Sequence, residues 1–348
     1  MSVDTATAGT ERDRKAEHIE LALDRRTQLD RHFFDAWEFE HNAAPEIDRA
    51  AVDVSTHFLR KPLTAPLLIS CMTGGTEVAS RINRNLAIAA EETGIAVGVG
   101  SQRKALEDSS TSDSFEMRDA APSVPILANL GAVQLNYGYG YDECRRAVEM
   151  VGADALVFHL NAVQEAIQPE GQCDFSDLLP RMGEIARELA QRDEVPVIAK
   201  EVGNGISGAV AQRLADHGIR IIDTAGLGGT SWSRIEAARA DDVELGELFA
   251  HWGVPTPRSI RECAAVPGMT VIGSGGVRNG VDVAKAIALG ADLVGMAYPF
   301  LVAAVESPER VVEKVHRTIQ ELEIAMFCLG VPSLAELKST PIRKRSQG

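Results

Sequence analysis

The sequence has fewer positively than negatively charged residues and contains no long apolar run. Its 348 residues include 35 Lys and Arg against 50 Asp and Glu, which gives a formal net charge of −15. Nucleic acids and anionic membranes attract basic surfaces, so this balance argues against either as the main partner. No run reaches the roughly 18 apolar residues that a membrane-spanning helix needs, and the N-terminus has no apolar signal core.

Cysteine is also scarce, and its spacing is irregular. The chain has five cysteines, an odd number, and no CxxC pair. This pattern indicates reduced thiols rather than a disulfide framework or a zinc site. Together with the missing signal core, it predicts a soluble, cytoplasmic protein.

What the sequence does contain, from residue 66 onward, is a series of eight short apolar runs that alternate with helical patterns. Such runs are typical of strands buried on both faces, and their alternation with helices predicts a parallel sheet. Eight is the number that closes a (β/α)8 TIM barrel. A doubly wound open sheet is the alternative, but its usual GxGxxG after the first strand is absent. The runs are PLLIS (66–70), IAVGVG (95–100), PILANLG (125–131), ALVFHLN (155–161), PVIAKEV (196–202), IRIIDTA (219–225), TVIGSGG (270–276) and LVGMAYP (293–299).

The remaining segments suggest how the chain is divided. We expect an N-terminal extension at 1–65, with its first ~12 residues disordered, because termini without anchoring contacts are commonly frayed. The barrel is expected at 66–330 and a C-terminal tail at 331–348, in which the basic stretch KSTPIRKRSQG (338–348) is expected to be frayed. A long stretch after the sixth strand, around 226–256, predicts a lid or extra helices.

Function in such barrels lies at the carboxyl ends of the strands, and the last two ends are the most informative. SGGVRNG (274–280) and GMA (295–297) supply small residues, backbone N–H groups at helix starts, and the nearby Arg278. These features favour a phosphate-binding site. The alternative is that the glycines only form tight turns.

Lys200, at the end of the fifth strand, is a candidate for the barrel interior. It is either paired with Glu201 or Asp223 for structural reasons, or it places positive charge against an electron-rich ring. We favour the second interpretation.

Four polar side chains at the end of the fourth strand form the clearest candidate site. His159 and Asn161 are two residues apart, so both point to one face of the strand and into the barrel mouth. Either side chain could donate hydrogen bonds to phosphate oxygens. Gln164 follows, and Glu165 is a hard oxygen ligand that could hold Mg²⁺ bridging to a diphosphate.

Seven segments, in chain order, resemble the FMN-dependent type 2 isopentenyl diphosphate isomerases over about residues 12–335. The SGG–R element is shared by many FMN barrels, whereas HLNxxQExxxPEG together with DTAGxGGTSW is specific. The segments are RKAEHI (14–19), SCMTGG (70–75), GSQR (100–103), HLNAVQEAIQPEG (159–171), KEVGNGIS (200–207), DTAGLGGTSW (223–232) and SGGVRNGVDVAKAIALGA (274–291).

The resemblance implies an activity and a set of cofactors. The family interconverts isopentenyl and dimethylallyl diphosphate with reduced FMN and Mg²⁺ and no net redox change, and we take NADPH as the reductant. Reduced flavin is implied to supply the acid–base group, while the protein provides orientation and electrostatics. A homo-oligomer, tetramer or octamer, is implied as well.

The resemblance also implies roles for individual residues. Gln164 would lie near the reacting carbons and act in catalysis with His159, Glu165 would bind Mg²⁺, and Trp232 would wall the pocket around the hydrocarbon tail. The substrate diphosphate would meet Arg14, Lys15, Arg103, His159 and Asn161. FMN would contact Met72, Thr73, Ser101, Asn129, Lys200 and Thr230, with its phosphate on Gly276, Arg278 and Ala297.

Three other functions fit the sequence less well. An FMN-dependent 2-hydroxy-acid oxidoreductase needs a His base and an Arg clamp near strands six and seven, and DTAGLGGTSW has neither. A nucleotide-oxidising barrel needs a nucleophilic Cys after strand six, yet no Cys lies between 174 and 262. A flavin- or phosphate-binding module without catalysis would leave the His159–Glu165 cluster without a purpose.

Overall fold

A computed structural model describes residues 10–345, with side chains from residue 16 onward. Of the ~12 residues expected to be disordered, residues 1–9 lie outside the described residues, and a helix begins at Thr10. The N-terminal extension contains helix α1 (Thr10–Leu23) and the short strands β1 (Trp37–Phe39), β2 (Thr56–Phe58) and β3 (Lys61–Leu63).

Within the described part of the chain, eight parallel strands close into a barrel, which confirms the predicted TIM-barrel fold. Each strand pairs with its neighbours in chain order, and the last strand pairs with the first, as Val294–Leu67 shows. The strands read as apolar runs because both of their faces are buried. They are β4 (Leu67–Ile69), β5 (Ala96–Gly98), β6 (Ile126–Gly131), β7 (Ala155–Leu160), β8 (Val197–Glu201), β9 (Ile221–Asp223), β10 (Thr270–Ser274) and β11 (Leu293–Met296).

The barrel interior is closed at the end opposite the site by the β2–β3 hairpin. Phe58 and Leu63 of this hairpin pack into one buried cluster with the inward-facing Leu68, Leu127 and Ile198. The extension therefore seals the amino-terminal end of the barrel, and the polar strand ends are left at the other rim.

Helices cover the outside of the barrel, and their ends follow ordinary capping chemistry. Helix α13 (Pro308–Leu329) begins after Ser307, whose side chain accepts a hydrogen bond from Arg310 N, and is followed by Gly330 with a φ of 73°. Glycine suits that left-handed position because it has no Cβ. The other described α-helices after α1 are α2 (Glu77–Thr93), α3 (Arg103–Glu107), α4 (Tyr141–Val151), α5 (Ala162–Ile167), α6 (Leu178–Arg192), α7 (Gly208–Asp216), α8 (Trp232–Arg239), α9 (Val243–Phe249), α10 (Thr256–Ala264), α11 (Gly280–Ala288), α12 (Tyr298–Glu306) and α14 (Leu334–Ser339).

The stretch after the sixth barrel strand contains extra helices, as expected. Helices α8 and α9 lie between β9 and α10, which is the helix that leads into β10. Among the described residues, no helix is both long and apolar enough to span a membrane.

The expectation of a frayed C-terminal tail was wrong for residues up to 345. Strand β12 (Ile342–Lys344) pairs antiparallel with β1, with Ile342 opposite Phe39. Arg343 and Arg345 both bind Glu38, at 3.2 and 3.0 Å. The basic residues that suggested a solvated tail instead pair with the acidic β1 edge.

Candidate active site

A cavity of about 420 Å³ opens at the carboxyl ends of the barrel strands. Residues at or just after the ends of all eight strands line it. Helix α1 closes one side, with His18, Ile19 and Ala22 on the cavity wall. The N-terminal extension thus contributes to both ends of the barrel.

The cavity brings together nearly all the residues singled out in the sequence. Arg14 and Lys15 are the exceptions, because their side chains lie outside the described residues. The candidates that line the cavity are Met72, Thr73, Ser101, Arg103, Asn129, His159, Asn161, Gln164, Glu165, Lys200, Thr230, Trp232, Gly276, Arg278 and Ala297.

Two glycine-rich loops, after β9 and β10, meet backbone to backbone on one wall. Gly276 has a φ of 69°, and a Cβ built there would lie 2.2 Å from the carbonyl oxygen of Gly228. A Cβ at Gly229 would lie 2.8 Å from Gly276 N. Only glycines allow this approach, and it leaves room beside the backbone for an anion.

Arg278 lies at the same wall, but its guanidinium is already engaged. Its Nη2 is 2.6 Å from Asp35 and its Nε is 2.8 Å from Asp282. Asp282 is buried, whereas Asp35 is exposed. An anion that binds Arg278 would therefore displace the exposed Asp35 more easily than the buried Asp282.

Lys200 faces the cavity from β8 and is buried. Its Nζ donates to the carbonyl oxygen of Glu201 at 2.6 Å. The neighbouring Asp223 on β9 is also buried and accepts a short hydrogen bond from Ser274 Oγ. Burial raises the pKa of Asp223, although the charge of Lys200 opposes the shift. The less favoured interpretation from the sequence was a structural side-chain partner for Lys200, and the hydrogen bond in the structure is to a backbone carbonyl. The favoured interpretation, positive charge against an electron-rich ring, stays a prediction.

His159 is held as a neutral imidazole. Its Nδ1 lies 2.7 Å from Oδ1 of Asn129. Because that oxygen only accepts, Nδ1 carries the proton. Burial, and then the charges of Lys200 and Arg103, lower the pKa of His159 to about 3.

Glu165 is a buried carboxylate that holds the loop after α5. Asn161 Nδ2 donates to its Oε1 at 2.8 Å. Gln168 Nε2 and the backbone N–H of Gln172 each donate to Oε2 at 2.7 Å. A carboxylate offers about four lone-pair positions, so one remains for a further ligand.

Hydrogen bonds at both ends of the Gln164 amide fix its orientation. Its Oε1 accepts from Asn161 Nδ2 at 3.1 Å, and its Nε2 donates to Glu236 Oε1 at 2.7 Å. Glu236, on α8, is fully buried, and His18 Nε2 lies 3.1 Å from the same oxygen. Burial alone raises the pKa of Glu236, but the close contact with His18 and the hydrogen bonds from Gln164 and Arg239 outweigh it and hold the pKa below its usual value.

Three buried polar atoms of cavity-lining residues have no hydrogen-bond partner within the described structure. They are Ser70 Oγ, just after β4, Asn161 Oδ1, and His18 Nε2, which lies within ion-pair distance of Glu236. Buried polar groups normally find partners, so these atoms point to a polar ligand in the cavity. The loops at Gly228, Gly229 and Gly276 form a wall of the cavity, here called the glycine wall. Together with this wall and the buried side chain of Lys200, the unpartnered atoms fit a flavin phosphate cofactor.

The charge of the cavity is opposite to that of the whole chain. Among its described lining residues are four cations, Arg103, Lys104, Lys200 and Arg278, and a single carboxylate, Glu165. The chain as a whole carries −15. Basic residues are therefore concentrated where an anionic ligand would bind.

Sequence reasoning did not select His18 or Glu236. Glu236 lies on a helix of the insertion, and no strand end marks it. Its position above α5 became visible only in three dimensions. His18 stands within the RKAEHI segment, which drew attention to Arg14 and Lys15 because of their charge.

Comparison with known proteins shows the family. Residues 180–344 match the model of the FMN-dependent dehydrogenases. An isopentenyl-diphosphate delta-isomerase of Nostoc sp. is 47% identical, over 99% of both chains. That of Paracoccus zeaxanthinifaciens is 50% identical, over 93% of this chain and 95% of its own. The chain belongs to the isopentenyl-diphosphate delta-isomerase family, in its FMN-dependent type 2 form.

Solved structures support the barrel independently. A protein described as a lactate oxidase of Pediococcus acidilactici superposes with a TM-score of 0.67 at 17% identity, over 99% of this chain and 96% of its own. A mandelate oxidase solved with an FMN adduct gives 0.62 at 18% identity, over 94% and 92%. At such identities the likeness establishes the fold and not the substrate.

We expect the imidazole of His159 to remain neutral between about pH 5 and pH 9 in the substrate-free protein, because burial disfavours its charged form. Nitrogen NMR of histidine-labelled protein, with the His159 signal identified from H159Q, should show the Nδ1–H tautomer throughout. A midpoint of titration above pH 5 would contradict this expectation.

Proposed function

We propose that this protein interconverts isopentenyl diphosphate and dimethylallyl diphosphate, with reduced FMN as cofactor, Mg²⁺ assisting and no net redox change. The observation that carries the proposal is the oriented, uncharged amide of Gln164 beside a cation-rich wall. Such a cavity suits a substrate with a diphosphate at one end and an unactivated alkene at the other.

The diphosphate end is assigned to the cations and polar groups around β5 and β7. Arg103 lines this wall, and its Nη1 donates to Gln172 Oε1 at 3.2 Å. Asn161 and His159 lie beside it, and Arg14 and Lys15 are proposed to approach from α1. A bound diphosphate favours protonation of His159, because an anion stabilises the imidazolium.

Mg²⁺ is proposed to bind at Glu165. The described residues contain no group of three or more His, Cys, Asp or Glu that could enclose a metal. This suits Mg²⁺, which keeps several waters and is commonly held by one or two carboxylates together with substrate phosphates. The lone-pair position left on Glu165 supplies the protein ligand.

The flavin is proposed to occupy the other part of the cavity. When bound and reduced, FMN supplies the acid–base chemistry that no ordinary carboxylic acid provides for an alkene near neutral pH. Its phosphate is assigned to the glycine wall. Residues proposed to contact FMN are Met72, Thr73, Ser101, Asn129, Lys200, Thr230, Gly276, Arg278 and Ala297.

Gln164 is proposed to orient the hydrocarbon end of the substrate. Asn161 and Glu236 hold the two ends of its amide group by hydrogen bonds, so the amide has one fixed orientation in the cavity. Trp232 closes this part of the cavity, with its ring 5.5 Å from that of His18 in an edge-to-face arrangement. Ile19 and Ala22 add apolar surface that excludes water.

Other properties follow from the family and remain proposals. We assign NADPH as the reductant, a cytoplasmic location and a homo-oligomer, tetramer or octamer. We also retain the division into an extension (1–65), a barrel (66–330) and a tail (331–348). The barrel strands fall within the middle range.

An anaerobic assay with isopentenyl diphosphate, FMN and Mg²⁺, with and without NADPH, tests the proposed activity. We expect dimethylallyl diphosphate only when reductant is present, without stoichiometric NADPH consumption. If the flavin binds and is reduced but no product forms, the substrate assignment is wrong. Reduction of the flavin by a 2-hydroxy acid would then favour the oxidoreductase function.

Replacement of Gln164 by Ala should lower kcat about 100-fold or more, since loss of orientation at the reacting centre is costly. Affinity for FMN should change little. Gln212→Ala is a matched control, because Gln212 is an exposed amide on α7 that donates to Asp216 and does not line the cavity. Equal kcat in the Gln164 variant and the control would remove Gln164 from the mechanism.

Replacement of Glu165 by Gln should raise the Mg²⁺ concentration for half-maximal activity about tenfold or more, because a charged ligand is lost. Glu188→Gln, at an exposed pair with Arg192, is the control. Fluorescence titration should show that FMN still binds the Glu165 variant. An unchanged Mg²⁺ titration would exclude Glu165 as the metal ligand.

A further inference from the structure

Arg239, at the end of α8, binds three carboxylates from three separate segments. Its Nη1 is 2.6 Å from Glu236 Oε2, its Nη2 is 3.1 Å from Glu170 Oε1, and its Nε is 3.2 Å from Glu17 Oε2. The Arg239 side chain is only 11% exposed and Glu236 is fully buried, so this pair is poorly screened by solvent, whereas Glu17 and Glu170 are about half exposed. A guanidinium is suited to this task because it presents five donors in a rigid plane.

The three segments that meet at Arg239 are also walls of the cavity. Glu17 is on α1, next to the cavity-lining His18. Glu170 follows α5, in the loop that Glu165 holds. Glu236 shares α8 with Trp232. Arg239 itself does not line the cavity, so it acts from behind the wall.

We propose that Arg239 is a positioning residue that ties α1, the α5 loop and α8 together and holds the Glu236 carboxylate in place against Gln164. This inference rests on the proposed isomerase function for its effect on turnover. Whether Arg239 joins the three segments does not depend on that function, and hydrogen exchange tests it on its own.

The charges that face Glu236 explain why Arg239 matters. His18 and Glu17 approach from α1, Glu170 from the α5 loop and Arg239 from α8, while Gln164 contributes only an uncharged amide. Without the guanidinium, Glu236 would be buried near two other carboxylates. Both burial and like charge favour the protonated acid. A protonated Glu236 is a poorer acceptor for the Gln164 amide, so the orientation of Gln164 would be lost.

The expected effect has a direction in pH. In the native protein Glu236 remains ionised as pH falls, because its pKa lies below the ordinary value. In R239Q the pKa rises, so the acid limb of the kcat–pH profile should move up by about one unit or more. After a shift of about that size most Glu236 is still ionised at neutral pH, so kcat there should fall only a few-fold and the larger loss should appear below about pH 6. R239K should retain part of the activity, since one ammonium can replace one contact but not three.

The experiment measures hydrogen exchange, FMN affinity and the kcat–pH profile for wild type, R239Q, R239K and R310Q. Arg310 is the matched control, because it also binds two carboxylates, Glu306 and Glu313, but lies exposed on α13. In the Arg239 variants we expect faster exchange in residues 16–23 and 162–172, unchanged FMN affinity and the shifted acid limb. R310Q should behave as wild type.

Two results would overturn the proposal. One is exchange in both segments that matches wild type. The other is a loss of kcat with no movement of the acid limb, which would indicate a general structural role. If R239Q does not fold, R239K and E17Q test the same tie, with the α1 segment alone loosened in E17Q. If wild type itself fails to isomerise, the exchange result still decides whether Arg239 joins the three segments.

Discussion

The burial of charged side chains at the carboxyl rim of the barrel is the constraint on which the site depends. Lys200, Asp223, Glu165 and Glu236 are each less than a tenth exposed. A buried charge costs several kcal/mol unless it is paired and hydrogen-bonded, so each of these groups fixes its neighbours in return. Loops that would otherwise be mobile are held by this requirement, as the α5 loop is by Glu165.

The barrel could be predicted from sequence because parallel strands leave a simple pattern. A strand such as β6 is buried on both faces and reads as one apolar run, and the polar residues that follow mark its carboxyl end. The positions of His159, Asn161 and Lys200 in the cavity follow from that pattern alone. The roles of residues such as Thr230 and Ala297 do not, and they came from resemblance to a family.

What could not be predicted depends on contacts between distant segments. Glu236 and Arg239 stand on an insertion helix whose packing over α5 leaves no periodic mark in the sequence. The pairing of β12 with β1 joins residues about 300 positions apart. In both places, charged residues of a kind that usually lies on a solvated surface form ion pairs with residues far away in the sequence.

The same rim also explains how one barrel can serve different chemistries. The oxidases that share the fold are only 17% and 18% identical to this chain, so the likeness establishes the barrel but not the reaction. In this chain the group proposed to lie at the reacting end is the amide of Gln164. An amide cannot take a proton from a hydroxy acid as a basic side chain can, but it can hold a substrate in place. On this proposal the carboxylate that accepts from the amide, Glu236, has to stay ionised to keep the amide aligned. The charge of a residue that touches no reacting atom would then be a condition for turnover.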